Sequence, residues 1–451
     1  GVKFTVVGGG PVGCLISILP ARRGHQVEVY DRRADPRNHP PEAGRSINLA
    51  LAARGMCALS EAGVLDALTP HMVPMPGRQL HLPDGSEAFS PYGQFEGEVN
   101  QSISRSELTR QLVFAAGRQP GITLHFRQRC LGLAASGALQ MRDEDDGRTW
   151  ELAAERVVGA DGAGSALRKA LAAAGHVEAS NELLDHDYKE LTIPPVDGSS
   201  ALAVREALHI WPRHNFMLIA LPNADHSFTA TLFMPRTGAV GFEALAAPGA
   251  ARAFFEREFP DALALMPEFD QEFAAHPQGV LGTVRCRPWN LGERIVLIGD
   301  AAHAIVPFHG QGLNCGLEDC RILDALLADG RPEPFRRFSE ARRADADAIA
   351  EMSLENYAEM RDAVADPRHQ VQRQLELMLE RRHPGRFIPR YAMVMFHHRI
   401  PYATALSRGR TQQQVLDQLV PEGTREAAFL DGLDWQHADA LVRERLQPIG
   451  G

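Results

Sequence analysis

Two hydrophobic periods alternate along this chain, and the switches between them mark its elements. Lys3–Val7 is a short apolar run that breaks at Gly8-Gly9-Gly10, the pattern of a buried strand ending in a turn. Helical spacing follows from Pro11; Pro20 cannot donate to the Ile16 carbonyl, so a kink or early end is expected there. Residues 27–30 form a second strand, closed by Asp31. The polar-to-apolar switch at 45–52 reads as a turn feeding a helix, and 79–82 with 87–89 flank Pro83-Asp84-Gly85, a hairpin signal. Ser104 with Glu107 three positions on is a capping box, opening a helix to about Ala116. Strands are expected at 122–126, 130–135, 138–142 and 149–153. A further apolar run at 156–159 gives way to Ala160-Asp161-Gly162 and a helix. From Tyr188 to Phe233 the pattern is β, at 189–193, 207–211, 216–221 and 227–233, and helices are expected at 250–258 and 262–268. The apolar run 295–298 ends on Gly299-Asp300 and leads through Gly310 and Gly312 into a helix over 313–327. Residues 333–378 are helical, with further helices near the end.

Composition narrows the class without choosing a function. The 451 residues, 44% hydrophobic and 23% charged, are those of a globular protein with ample core. A formal net charge of −10 argues against nucleic acid or an anionic membrane as the main partner. The six cysteines (14, 57, 130, 286, 315 and 320) show no C-x-x-C, so neither a zinc site nor a disulfide framework is indicated, and no metal is expected. With a strand opening the sequence, no signal peptide is expected. No apolar run approaches the ~18–20 residues of a membrane span. The expectation is a cytoplasmic protein without a membrane anchor, monomer or homodimer.

Candidate chemistry sits where strands meet glycines. Gly8-x-Gly10-x-x-Gly13 follows a strand and opens a helix, with Asp31, 18 residues after Gly13, at the end of the second strand. Gly8 permits the tight turn, Gly10 lets the backbone approach a pyrophosphate, Gly13 lets helix and strand pack closely, and Asp31 can accept from a ribose hydroxyl. This predicts dinucleotide binding. At Gly299-Asp300 a strand, a carboxylate and a helix N-terminus form a ligand cradle: Asp300 can accept from hydroxyls, and the free N–H groups favour a partly negative ring edge. Asp161 reads as an Asx-turn between strand and helix.

Three separated signatures, Gly8-x-Gly10-x-x-Gly13 with Asp31, Gly159-Ala160-Asp161-Gly162 and Gly299-Asp300-Ala301-Ala302-His303, together resemble the FAD-dependent aromatic hydroxylases, the group A flavoprotein monooxygenases. Gly44 to Leu51 (GRSINLAL), Tyr188-Lys189-Glu190-Leu191, His209-Ile210-Trp211-Pro212, Ile219 to Asn223, Ser227-Phe228-Thr229, Leu354-Glu355-Asn356-Tyr357 and Phe387 to Tyr391 are similar to the kynurenine 3-monooxygenases within that group. The likeness spans roughly residues 3–410. It implies an α/β fold: a Rossmann-like FAD-binding domain (1–80, 96–180, 285–330) interleaved with an antiparallel-sheet substrate domain (81–95, 181–284), and a C-terminal helical region (331–451) closing the active site. It also implies hydroxylation of L-kynurenine to 3-hydroxykynurenine with bound FAD, transient NADPH and O2, through a flavin C4a-hydroperoxide.

Residue roles follow from the same resemblance. Gly8, Gly10, Val12, Gly13, Asp31, Arg32 and Arg105 are expected on the nucleotide, Asp300 on the ribityl chain, and Gly312, Leu313 and Asn314 at the pyrimidine edge. Arg78 matches the carboxylate-binding arginine, with Tyr92, Asn356 and Tyr391 as polar partners. Phe216, Phe308, His309, Glu359 and Met360 match pocket-lining positions. Without the resemblance these residues read differently. Arg78 is a solvated strand cation, Arg105 a cation at a helix start, the tyrosines and Phe216 and Met360 partly buried core, and His309 a satisfied loop histidine. The cofactor carries such chemistry, so no dedicated acid–base pair is required. Three alternatives remain at this level: a hydroxylase of another kynurenine-like or aryl amino acid, a flavin-dependent halogenase, and a non-catalytic FAD-binding sensor. None of Trp150, Trp211, Trp289 or Trp435 sits in a halogenase-like W-x-W-x-I-P segment.

Overall fold

The computed structural model describes residues 1–39, 48–363 and 366–450. Its organising layer is a six-stranded sheet ordered Asn290–Leu291, Ile295–Leu297, Val157–Gly159, Lys3–Val7, Gln26–Tyr30 and Ile122–His125, parallel except at the first pair. Such strands are buried on both faces and read as continuous apolar runs, which is why the sequence pattern finds them. Val7, Gly159 and Leu297 lie in one row across three adjacent strands. The three glycine-acid turns therefore leave the same carboxyl edge side by side, where open α/β sheets bind ligands.

The Pro11–Ala21 helix packs on this sheet and ends one residue beyond Pro20. Ser104 caps the Arg105–Arg118 helix by accepting from the Glu107 N–H, as the capping box predicts. The 45–52 reading is corrected in part. Asn48–Leu51 is a strand paired with Asn100–Ser104, and the helix starts only at Ala53; residues 45–47 lie outside the described residues.

A second sheet of seven strands runs Gln278–Arg287, Glu178–Ile193, Phe228–Pro235, Met217–Pro222, Leu208–Pro212, Gly77–His81 and Glu87–Pro91. It is antiparallel except where Leu208–Pro212 pairs in parallel with Gly77–His81, an exception the sequence does not announce. Three of these strands run across boundaries drawn from sequence at 80/81, 180/181 and 284/285. One face of the sheet packs on phenylalanine-rich helices, with Phe254, Phe255, Phe259 and Phe269 against Leu218, Ala220 and Leu232. The expected helix at 262–268 is instead split into Pro260–Leu263 and Phe269–Ala275. The other face looks toward the nucleotide sheet.

Helices Pro334–Ala358, Pro367–Arg382, Arg390–Phe396, Tyr402–Leu419 and Trp435–Arg445 complete the chain. A π-helical turn, Glu359–Ala363, ends the first of them. Among the described residues no helix is long and apolar enough to cross a membrane.

Candidate active site

A cavity of about 730 Å³ lies between the two sheets, and all three glycine-acid turns open into it. Gly8 has φ +102°, and a Cβ there would meet the Ala160 carbonyl at 2.2 Å; at Gly13 one would meet the Gly8 carbonyl at 1.7 Å. Both positions therefore require glycine. Gly13 does not line the cavity; it works through packing, by letting the helix sit against the turn. Gly10 and Gly312 do face the cavity, where a Cβ would project into ligand space with no protein atom closer than 3.6 Å and 3.8 Å.

Two helices start at this cavity without a side-chain cap and without an acid in the first turn, Pro11–Ala21 and Gly312–Ala328. Their free N–H groups are left for a ligand, and their dipoles favour negative charge. Val12 and Leu313 line the cavity beside them. Asn314 does not. Its amide is buried, donating to the carbonyls of Ala50 and Gly310 at 2.7 Å each and accepting from the Ala52 N–H at 2.9 Å. Its side chain ties the turn to the Asn48–Leu51 strand, leaving only its backbone for a ligand.

Asp31 accepts from the Gly9 N–H at 2.6 Å and from the Arg33 N–H at 2.7 Å, and the Arg33 guanidinium grips it at 3.0 and 3.1 Å. Burial raises its pKa, but Arg33 and these N–H donors outweigh that and hold the carboxyl below its usual value. Arg33 is a neighbour the sequence reading missed; Arg32 and Arg105 line the same cavity. Asp161 accepts from the Ser165 hydroxyl at 2.5 Å and the Leu167 N–H at 3.4 Å, which is the expected strand-to-helix turn.

Asp300 lines the cavity from a turn secured by buried charge. Asp319, fully buried, accepts from the Gly299 N–H at 2.9 Å, from His303 Nε2 at 2.5 Å and from Arg342 Nε at 2.9 Å. Glu318 beside it holds Arg342 at 2.8 Å and Arg54 at 3.2 Å. Arg54 in turn donates to the carbonyls of Met393, Val394 and Ile400 and lies over the Tyr402 ring at 4.0 Å. His303, Cys315 and Asp319 are close enough to hold a cation, but Arg342 already supplies the positive charge there.

At the far end of the cavity stands Arg78. Its guanidinium lies 5.6 Å from the Tyr92 ring and 5.5 Å from the Tyr391 ring, and its Nε is buried without a hydrogen-bond partner. Among the described residues no carboxylate pairs with it within 4.0 Å. The tyrosines stack at 5.1 Å, His309 stacks on Tyr391 at 5.2 Å, and Asn100 donates to the Tyr391 hydroxyl at 3.0 Å. Burial pushes His309 down to about 3, helped by Arg390 and Arg78, so its ring is neutral near pH 7. The walls here are apolar: Leu208, Met217, Ile219, Leu221, Phe233 and Phe308, with Met360.

Three expected pocket residues stand elsewhere. Phe216 packs with Phe254 and Phe259 on the opposite face of the sheet, at ring distances of 5.1 and 6.0 Å. Alternation along the strand is the reason: Met217, Ile219 and Leu221 point into the cavity, so Phe216 points away. Asn356 and Glu359 face a smaller polar cavity of about 330 Å³ that shares the wall of Arg78, Tyr92, His309 and Tyr391. Asn356 donates to the Phe308 carbonyl at 2.8 Å. Burial raises the Glu359 pKa, but His369 at 3.3 Å, with Arg78 and Arg390, brings it down to about 2.

The arrangement has the donors for a dinucleotide at one end, an apolar slot in the middle and, at the other, a guanidinium that no carboxylate pairs among the described residues. An FAD fits it: two uncapped helix starts can take its pyrophosphate and ring edge, Asp31 and Asp300 its sugar and ribityl hydroxyls. Comparison with known proteins agrees. Residues 2–352 match the family model described as FAD binding domain. The chain is 46% identical over 453 residues to the kynurenine 3-monooxygenase of Xanthomonas euvesicatoria pv. vesicatoria (strain 85-10), covering 100% of this chain and 98% of that one. It is 43% identical over 448 residues to the protein of the same name from Myxococcus xanthus (strain DK1622), covering 99% and 96%. In fold it is similar to 2-methyl-3-hydroxypyridine-5-carboxylic acid oxygenase (TM-score 0.63, 18% identity, 81% of this chain and 94% of that one). It is also similar to p-nitrophenol 4-monooxygenase from Pseudomonas putida (TM-score 0.64, 16% identity, 84% and 94%). With a family model matched over residues 2–352 and relatives 43–46% identical over nearly their whole length, the chain belongs to the FAD-dependent aromatic hydroxylases, within the kynurenine 3-monooxygenase family.

Proposed function

We propose that this protein hydroxylates L-kynurenine at the ring carbon ortho to the aniline nitrogen, with FAD bound, and with NADPH and O2 as co-substrates. The observation that carries the substrate is Arg78. A guanidinium with a buried, unpartnered Nε beside two stacked tyrosines is an incomplete site, and a carboxylate completes it with charge-assisted, fork-shaped hydrogen bonds. Tyr92 and Tyr391 stay protonated, because burial raises both hydroxyls, and so remain available as donors.

From that anchor the aryl ketone extends along the aliphatic wall of Leu208, Ile219 and Leu221 toward Phe233 and Phe308, in the cavity that Asp300 also lines. Phe308 is held by Asn356 through its carbonyl and stacks on Tyr357 at 3.8 Å, so the wall is rigid where the ring must rest. Bound FAD supplies the oxygen-activating chemistry. The chain holds the nucleotide through Gly8, Gly10, Asp31, Arg105 and Asp300, turns the helix start at Gly312 and Leu313 toward its pyrimidine edge, fixes the ring's distance by anchoring the carboxylate, and keeps water out with its apolar walls. The smaller polar cavity behind Arg78 carries charge of both signs, with Glu355 paired to Arg390 and Glu359 to His369, so its carboxylates and the Tyr92 and Tyr391 hydroxyls are the acceptors within reach of the α-ammonium.

The test is product analysis. Purified protein reconstituted with FAD and supplied with NADPH, air and L-kynurenine yields 3-hydroxykynurenine by mass and retention. NADPH consumption accelerated by kynurenine without a hydroxylated product contradicts the reaction. Turnover of a ring-substituted kynurenine in preference to kynurenine would move the substrate to another aryl amino acid.

A further inference from the structure

Glu190 is the one carboxyl group on the cavity face of the seven-stranded sheet among the described residues lining that cavity, and the reaction above leaves it without a role. It is 4% exposed, and its Oε1 is buried with no hydrogen-bond partner. Its strand alternates. Lys189 and Leu191 point to the opposite face, where the Lys189 ammonium donates to the carbonyls of Phe273 and His276, while Tyr188 and Glu190 point into the cavity.

Its place on the sheet excludes a role at the substrate's carboxylate. Leu80, Ile210, Ile219, Thr231 and Glu190 form one row across five strands, with Leu80 on the strand that carries Arg78. Four inter-strand steps put Glu190 about 19 Å from that strand, farther than one aryl amino acid held at Arg78 extends. Along the row the cavity face changes from aliphatic to polar at Thr231. Glu190 therefore belongs to the part of the cavity that a substrate anchored at Arg78 does not fill.

We propose that Glu190 is a proton-holding group for the bound cofactor: its carboxylate takes up a proton when FAD is reduced and gives it back when FAD is reoxidised. This rests on the reading that FAD occupies the cavity. NADPH delivers a hydride, two electrons with one proton, and leaves as NADP⁺, so the cavity gains one negative charge. An O–H bond forms on Glu190 with a proton from solvent, and neutralises a carboxylate that would otherwise stand in the same cavity as that charge. No other bond in the protein breaks. A like charge in a low-dielectric site favours the neutral acid, which is the physical drive.

Other groups around Glu190 do not take the role. Tyr188 on its own strand is raised by burial and stays protonated, and Arg105, at the start of its helix, is a guanidinium rather than an acid. Thr231 opposite is neutral. His276 packs from the other face, where its ring meets the Glu190 carbonyl at 2.7 Å, and Glu272 there accepts from Thr192. Burial alone pushes Glu190 up to about 7, which leaves it poised to respond.

The test compares the holoprotein with Glu190→Gln, which keeps the shape and removes the proton. The midpoint potential of the bound flavin is measured from pH 6 to 9 by dye-equilibrated reduction. One proton per two electrons shifts the equilibrium tenfold per pH unit, or 29.6 mV. The wild-type protein exceeds that slope above pH 7, approaching twice it, while Glu190→Gln follows the one-proton line. Equal slopes in the two proteins overturn the proposal. A reduced-minus-oxidised infrared spectrum gives a second reading on wild type alone. A protonated-carboxyl band appears on reduction, and its absence overturns the proposal even if the variant loses FAD. Colourless protein that cannot be reconstituted would instead overturn the FAD reading beneath it.

Discussion

Arg78→Ala removes the anchor on which the substrate assignment rests. Arg78 stands beside the stacked Tyr92 and Tyr391 with an unpartnered Nε and, among the described residues, no carboxylate within 4.0 Å, so little in the free protein depends on its charge being paired. In the proposed complex it and the substrate carboxylate form a desolvated ion pair. Removing one member of such a pair costs about 2–5 kcal/mol, and at about 1.4 kcal/mol per tenfold that is roughly a 30- to 4,000-fold rise in the kynurenine KM. Arg78→Lys keeps a charge but loses the fork, and falls between the two. FAD occupancy, read from the ratio of flavin to protein absorbance, stays at the wild-type level, because Arg78 lies on the seven-stranded sheet and not at the nucleotide turns. Steady-state oxidation of NADPH against kynurenine concentration gives the KM. An unchanged KM in Arg78→Ala would remove Arg78 from the substrate site and refute the reasoning; a lost flavin would refute the separation of the two ends.

Further expectations can be checked on the same preparations. Asp31→Ala weakens FAD retention, since it frees Arg33 and leaves the Gly9 N–H unpaired; full flavin occupancy after purification contradicts the ribose assignment. Phe216→Ala costs about 3–5 kcal/mol of stability by leaving a cavity in the aromatic cluster while the kynurenine KM holds, and a large KM change at wild-type stability would return Phe216 to the pocket. Asp319→Asn breaks a buried pair with Arg342 and His303 and costs about 3–5 kcal/mol in urea unfolding; a neutral effect would show that the Gly299-Asp300 turn does not depend on it. For Glu190 the folded pKa of about 7 lies above the reference 4.5, so the folded apoprotein binds more protons between those values and loses stability as pH rises through that window. The loss amounts to about 3 kcal/mol at 1.36 kcal/mol per unit. Glu190→Gln removes that slope, and its persistence in the variant would contradict the assignment.

The parts of the fold visible in the sequence were those whose signal is local. Lys3–Val7, Val157–Gly159 and Ile295–Leu297 are doubly buried strands ending on glycines and acids, so their runs and breaks can be read directly. Their adjacency, which makes three turns into one site, is a matter of topology. Glu178–Ile193 was found only in its last residues, because its first half is exposed and carries no alternation. Phe216 fell on the wrong face because it precedes the strand by one residue, and one residue reverses the side. The buried cluster of Arg54, Glu318, Asp319 and Arg342 was illegible, since charged residues on helices read as solvated surface until packing shows otherwise. Arg78, Tyr92 and Tyr391 come from distant parts of the chain, and only the family resemblance joined them before the structure did.

In the proposed function one cavity holds FAD at the glycine-acid turns and an arginine-anchored kynurenine beside it. Titration of the purified yellow protein with L-kynurenine, following the flavin absorbance, tests that most directly. The expected result is a saturable perturbation at one kynurenine per flavin, abolished or strongly weakened in Arg78→Ala. A flavin spectrum indifferent to kynurenine, or a perturbation that survives intact in Arg78→Ala, would contradict it.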